Sequence, residues 1–145
     1  MEKSKWIKTL CKSKENIKLN DLILPGTHNS GSYDFTDMID LSDTYDNYLV
    51  WPVSKIIKNW VVNQSYNIYE QLKMGVRVLD IDINYYNNKY YISHSFAIDE
   101  LDNVLKQLTD FNNEYGDLYV IKIVYRHEIE ATKIRAKMRE EGKLK

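Results

Sequence analysis

Two histidines and two aspartates stand at the ends of predicted strands. His28 follows a short apolar run, His94 ends another strand, and Asp80 and Asp82 lie near the end of a third. Two imidazoles beside carboxylates suit phosphodiester chemistry, because one ring can take a proton from the attacking hydroxyl while the other protonates the leaving oxygen. Each residue also has a structural reading: a histidine that only hydrogen-bonds, or aspartates that cap helices or pair with Arg77.

The strand that would carry the aspartates is rich in β-branched residues and follows Gly75. Alternation along 76–84 predicts a polar face with Val76, Val78, Asp80, Asp82 and Asn84, and an opposite face with Arg77, Leu79, Ile81 and Ile83. Two carboxylates on one face are costly to bury unless they hold something positive. The pattern therefore predicts a charged site at the end of this strand.

The surrounding segments predict alternating strands and helices. We expect strands over 18–24, 89–96 and 118–125, helices over 53–62, 68–74, 100–111 (with Asp99 as N-cap) and 128–141, a turn at Asn87-Asn88, and an acidic surface excursion over 33–48. Such alternation indicates parallel βα units, in a Rossmann-like sheet or part of a (β/α) barrel. No Gly-rich phosphate fingerprint follows the early strands, which disfavours a nucleotide-binding Rossmann domain.

Composition excludes several classes of protein. The chain has 145 residues, 43% of them hydrophobic and 28% charged, with a net charge of −1, so it has no overall field that would attract nucleic acid. Cys11 is the only cysteine, which excludes an internal disulfide and a cysteine-based zinc site. Neither a signal peptide nor a membrane-spanning run is predicted. We expect a soluble protein, cytoplasmic or peripheral to a membrane.

Three motifs follow one another along the chain. The first, Leu22-Ile-Leu-Pro-Gly-Thr-His28-Asn-Ser30, is similar to the first signature of the X region of phosphatidylinositol-specific phospholipase C. Segment 63–82, with Gln71-Leu72, Gly75-Val-Arg77, Asp80 and Asp82, is similar to the second, and Ile92-Ser-His94-Ser95 to the third. Their collinear order implies a partial (β/α) TIM-type barrel, the N-terminal half with about four parallel strands, and residues 1–145 as one truncated X region.

The resemblance implies a mechanism and a partner. His28 would deprotonate the inositol 2-hydroxyl and His94 would protonate the departing diacylglycerol oxygen, which gives an inositol cyclic phosphate. The substrate would be an inositol phospholipid met transiently at a membrane. Tyr48, Trp51 and Trp60 are candidates for membrane contact, although packing of the two tryptophans in the core is the simpler reading.

The resemblance also bears on a metal. Family members that use calcium have Asn after the first His and two acids in the second motif, so Asn29, Asp80 and Asp82 are the predicted calcium ligands. The next strand departs from that pattern, because Lys122 or Tyr125 stands where another acid is expected. Arg77 is predicted to be structural, since it lies on the face opposite Asp80.

The length leaves alternatives open. A complete barrel of this type needs roughly 200 to 250 residues, so we expect a fragment, a chain completed by a second polypeptide or by itself, or a minimal domain. The function would then be that of a phosphodiesterase or of a catalytically incomplete binding remnant. A glycerophosphodiester phosphodiesterase is a third reading.

Overall fold

A computed structural model describes residues 2–33, 39–40, 62–86, 88–94 and 96–125. Its regular elements are α1 (Trp6–Ser13), β1 (Gly26–Thr27), β2 (Ile39–Asp40), α2 (Ile68–Lys73), β3 (Val78–Tyr86), β4 (Lys89–His94), β5 (Phe96–Glu100), α3 (Leu101–Glu114) and β6 (Val120–Tyr125). The helices predicted over 53–62 and 128–141, and most of the acidic excursion, lie outside the described residues.

The sheet is mixed and centred on β3. Strands β1 and β6 run parallel to β3 on its two edges, whereas β4 pairs antiparallel with the later part of β3, and β5 and β2 continue antiparallel from β4 in the order β4-β5-β2. The expectation of about four parallel strands is therefore wrong in part. The reason is the turn predicted at Asn87-Asn88, because a two-residue loop can join only antiparallel neighbours.

Burial alternates over the first part of β3, where Leu79 is buried and Val78 and Asp80 are partly exposed, but from Ile81 to Asn84 both faces of the strand are buried. Leu79, Ile81 and Ile83 are 0%, 3% and 9% exposed and form one face of the core. The residues that pack with them come from α2, β4 and α3: Ile68, Leu72, Ile92, Val104, Leu108 and Phe111. No helix among the described residues is long and apolar enough to cross a bilayer.

The first strand is shorter than predicted. Residues Leu19–Asp21 form a 3₁₀ turn, the side chain of Ile23 is 97% exposed, and only Gly26–Thr27 pair with β3. The Pro25 carbonyl accepts the backbone N–H groups of Arg77 and Val78, so pairing begins at this point. Upstream, the apolar residues meet no sheet partner within the described part of the chain.

The helix after β5 starts one residue later than predicted and runs longer. Its N-cap position is Glu100, which makes no side-chain capping bond, so the prediction of Asp99 as N-cap is wrong. Asp99 lies in β5, where its carboxylate accepts hydrogen bonds from Tyr33 Oη (2.6 Å) and Asn103 Nδ2 (2.7 Å). Asp is a residue type that often caps helices, but the carboxylate of Asp99 instead connects β5 to Tyr33 and to Asn103 of α3.

The sequence did not predict α1. A buried ion pair connects this helix to the start of β3. Arg77 is 0% exposed and its Nη2 lies 2.7 Å from Oδ2 of Asp117. Asp117 also accepts the backbone N–H groups of Ile7 and Lys8 in the first turn of α1. The remaining guanidinium N–H groups donate to backbone carbonyls of Lys3, Ser4, Leu72 and Val76. The contacts confirm that Arg77 is structural.

Candidate active site

The loop that carries His28 is tied to β3 by backbone contacts. Ser30 donates its N–H to the Asp80 carbonyl (2.7 Å), and the Asp80 N–H donates to Ser30 Oγ (2.8 Å). These bonds continue the β1–β3 pairing by one step beyond Thr27. The loop therefore holds His28 beside residue 80 of the central strand.

The buried side chain of Gln71 holds the same loop in place. Its side chain is 2% exposed; Oε1 accepts from the Thr27 hydroxyl (2.7 Å), and Nε2 donates to the carbonyls of Ser30 (2.8 Å) and Tyr66 (2.7 Å). A Cβ atom on Gly31 would lie 2.1 Å from Ile92 Cγ2, so only glycine fits where the loop passes β4. The second motif therefore supports the first through one buried amide.

His28 and Asp80 form the central contact of the site. Nδ1 of His28 lies 2.6 Å from Oδ2 of Asp80, and the two side chains are 80% and 13% exposed. A carboxylate can only accept, so this contact requires the proton on Nδ1 and leaves the lone pair on Nε2. The exposed ring therefore presents a basic nitrogen to a ligand, in an orientation that Asp80 fixes.

Lys122 approaches Asp80 from the other side of β3. The two residues are direct partners in the parallel β3–β6 register, and Nζ lies 2.9 Å from Oδ1. Oδ1 is shielded from solvent and the ammonium is not aligned for a directed hydrogen bond, so the contact is an ion pair by distance. Contact with Lys122 is the largest cause that holds the pKa of Asp80 below its ordinary value; burial opposes it, and hydrogen bonds from His28 and the Asn29 backbone assist it.

The sequence pointed to Lys122 only as a residue in the place of an expected acid. Its pairing with Asp80 depends on the register between two strands whose paired residues lie 42 positions apart in the chain, which no local pattern reveals. The available signal was a single cation within an otherwise apolar strand, on the face that alternation gives to Val120 and Val124.

His94 is brought to the same edge of β3 as His28. Because β6 pairs with Val78 to Ile83, both β1 and β4 must lie along the opposite edge of β3, and β4 runs back toward the end of β1. Asn84 Nδ2 donates to Ser93 Oγ (2.8 Å), one residue before His94.

The structure does not join the two imidazoles directly. The His94 side chain is partly exposed and makes no hydrogen bond or ion pair with another described residue. Regular alternation along β4 would give it the core side of Ile92, but β4 stops pairing with β3 after Ile92, and its register with β5 is irregular there. The catalytic role of His94 stays a prediction.

The predicted calcium ligands do not form an open oxygen site. Both oxygens of Asp80 are engaged by cationic or hydrogen-bonding side chains, and Asp82 is buried (6% exposed) and already engaged. In the described part of the chain, no three His, Cys, Asp or Glu side chains converge. Calcium takes six to eight oxygen ligands, so the residues as arranged do not fit it.

Comparison with known proteins shows which proteins this chain is similar to. No family model matches the chain. It is 31% identical over 114 residues to a PI-PLC X-box domain-containing protein of Dictyostelium discoideum, covering 79% of this chain and 15% of that protein. It is 24% identical over 135 residues to human PI-PLC X domain-containing protein 3, covering 77% of this chain and 42% of that protein.

Solved structures show the same fold. The phosphatidylinositol-specific phospholipase C of Listeria monocytogenes matches with a TM-score of 0.61 at 20% identity, over 98% of this chain and 46% of that one. That of Staphylococcus aureus matches with a TM-score of 0.60 at 21% identity, over 86% and 36%. The curled mixed sheet thus matches part of the TIM-type barrel of these structures.

Together, the motif order, the relatives and the fold identify the family. The chain belongs to the PI-PLC X-domain family. It spans less than half the length of each of the four relatives named above.

Proposed function

We propose that this chain carries the catalytic-histidine part of a phosphoric diester hydrolase that cleaves inositol phospholipids. The observation that supports the proposal is the His28–Asp80 contact at 2.6 Å, with the ring 80% exposed. It supplies an oriented base at the end of a parallel strand, where ligand chemistry gathers in α/β folds. The partner would be a membrane lipid, met transiently.

In this mechanism His28 Nε2 removes the proton of the inositol 2-hydroxyl. The oxygen attacks phosphorus, the bond from phosphorus to the diacylglycerol oxygen breaks, and His94 gives its proton to that oxygen. The products are diacylglycerol and inositol 1,2-cyclic phosphate. The Asp80 carboxylate stabilises the imidazolium that forms on His28, because the two groups then carry opposite charges in contact.

The family resemblance carried two further expectations. Completion of the barrel by a second chain stays a prediction. Calcium dependence through Asn29, Asp80 and Asp82 stays a prediction of the resemblance alone and is not part of this proposal, because both aspartates are already engaged. The contacts of Asp80 favour a cation supplied by the protein instead of calcium. The candidate membrane contacts Tyr48, Trp51 and Trp60 lie outside the described residues.

Release of inositol cyclic phosphate from phosphatidylinositol vesicles, followed by ³¹P NMR, tests the proposal. His28→Asn and His94→Asn should each lower the rate by about 10²- to 10⁴-fold, the usual contribution of one general acid or base. His127→Asn, the one histidine outside the three motifs, is the matched control and should keep the rate.

Equal turnover by the wild type and His28→Asn would overturn the proposal. Vesicle binding without any cyclic phosphate would instead identify a non-catalytic remnant of the family. Faster cleavage of glycerophosphoinositol than of intact lipid would favour the glycerophosphodiester phosphodiesterase reading.

A further inference from the structure

The geometry points to Lys122 as the resident cation of the His28–Asp80 site, in place of a divalent metal. Parallel register sets Lys122 directly beside Asp80, on the same face of the sheet. The His28 loop reaches Asp80 from the β1 edge of β3, and Lys122 reaches it from the β6 edge. One carboxylate is thus shared between an imidazole and an ammonium.

This contact differs from the other lysine pairs of the described surface. In Lys106–Asp110 and Lys89–Glu100 both partners are well exposed, at 73% and 48% and at 56% and 43%. In Lys122–Asp80 the ammonium side is 64% exposed, but the carboxylate is only 13% exposed. A shielded carboxylate needs a positive partner, and Lys122 is the described cation within ion-pair distance of Oδ1.

Charge balance makes the same point. Asp80 and Asp82 lie two residues apart on one face of β3, and each repels the other and any phosphate that approaches. A positive charge at Oδ1 offsets that repulsion. The Lys122 ammonium lies 2.9 Å from Oδ1 and occupies the place where a metal would bind that oxygen. A metal would have to displace the ammonium, because two cations so close together repel each other strongly.

The exposed part of Lys122 gives it a second role, which rests on the proposed function. An ammonium has three N–H donors, and the side of Lys122 that faces solvent can donate to a non-bridging phosphate oxygen while Asp80 holds the group in place. Substrate binding and turnover would then need no calcium.

Terbium luminescence, with calcium as competitor and no lipid present, tests the inference directly. The wild type and the control Lys106→Gln should show no calcium-displaceable signal. Lys122→Gln frees the carboxylate and should gain binding in the range of about 10⁻⁴ to 10⁻³ M, typical of weak oxygen-ligand sites. Lys122→Arg keeps the charge and should stay silent, and adding Asp80→Asn to Lys122→Gln should abolish the gain.

Calcium binding by the wild type, or a Lys122→Gln variant that stays silent while its circular dichroism matches the wild type, would overturn the inference. Turnover is measured separately, with and without EGTA. An inactive wild type counts against the proposed function and leaves the binding comparison intact. An active wild type that loses its activity in EGTA counts against Lys122 as the cation.

Discussion

Strand β3 and the residue just before it carry two groups of ion-paired side chains, and these groups differ in their exposure to solvent. At its start, Arg77 and Asp117 lie 2.7 Å apart with 0% and 1% of their side chains exposed. Three residues beyond Arg77, on the opposite face, Asp80 pairs with His28 and Lys122, which are 80% and 64% exposed. One arrangement closes a junction of the core, and the other leaves its basic groups facing solvent.

The two groups consist of similar charged residues. Their different burial therefore separates the structural role of Arg77 from the candidate catalytic role of His28. Arg77 makes six hydrogen bonds to five acceptor atoms and lies within 6 Å of the ring centres of Trp6 and Phe111, so it has no capacity for a ligand. The ring of His28 has one contact to a described side chain and an open nitrogen. Variants of the two pairs should therefore affect different properties.

The largest effect on stability is expected from the buried pair. Asp117→Asn leaves the Arg77 charge without its counter-ion and should destabilise the fold by about 3–5 kcal/mol, as for a broken buried pair. Urea unfolding measures the change. Lys106→Gln, which removes one partner of an exposed helix pair, is the control and should cost less than about 1 kcal/mol. A similar loss in both variants would mean that burial does not separate the two kinds of pair.

An intermediate effect is expected from the amide that connects the core with the site. Gln71→Leu leaves the carbonyls of Ser30 and Tyr66 without their donor and should cost about 1–3 kcal/mol. Because the same amide holds the loop of His28, turnover should fall as well, and by more than the loss of folded protein explains. Unchanged turnover in the folded fraction would show that the loop is held adequately by its bonds to β3.

The smallest effect on stability is expected at Asp80, whose partners His28 and Lys122 face solvent although the carboxylate itself is only 13% exposed. Asp80→Asn should change the free energy of unfolding by less than about 1 kcal/mol near neutral pH, since its partners are largely solvated. The pKa of Asp80 is lowered in the folded state from 3.8. The advantage of the wild type should therefore be complete above that value and vanish as pH falls through the lowered pKa.

Unfolding midpoints of both proteins across pH 2 to 7 (about the span in which carboxylates titrate) measure this difference. A gap between wild type and Asp80→Asn that widens in acid would contradict the direction of the shift.

Local pattern was sufficient for the core face of β3, because Leu79, Ile81 and Ile83 share one face at a period of two, but it did not predict that Asp82 and Asn84 on the other face are buried as well. It also identified the turn at Asn87-Asn88 and placed Arg77 away from the site. The pattern failed for the segment before β1, where an apolar run looks like a buried strand, yet Ile23 is 97% exposed. Pairing there depends on where Pro25 meets β3, which is a tertiary contact.

The sequence predicted which residues of single strands and loops belong to the candidate site, but it did not predict the contacts between strands. His28 was predicted as a base and Asp80 as a calcium ligand, and their hydrogen bond was not predicted. The ion pair of Lys122 with Asp80 was not predicted either, because it depends on the β3–β6 register. The turn at Asn87-Asn88 was recognised as hairpin-like, but the antiparallel direction that a hairpin gives β4 was not carried into the expectation of about four parallel strands.

The cap of α1 has a consequence for how the chain is made. The helix is eight residues long and its N-cap residue, Lys5, makes no side-chain capping bond, while its first-turn N–H groups bind Asp117. So short a helix is marginal in water on its own. During synthesis the α1 segment emerges from the ribosome well before Asp117. We therefore expect this segment to stay unstructured until more than a hundred further residues have left the ribosome. The first helix in the sequence would be among the last to form.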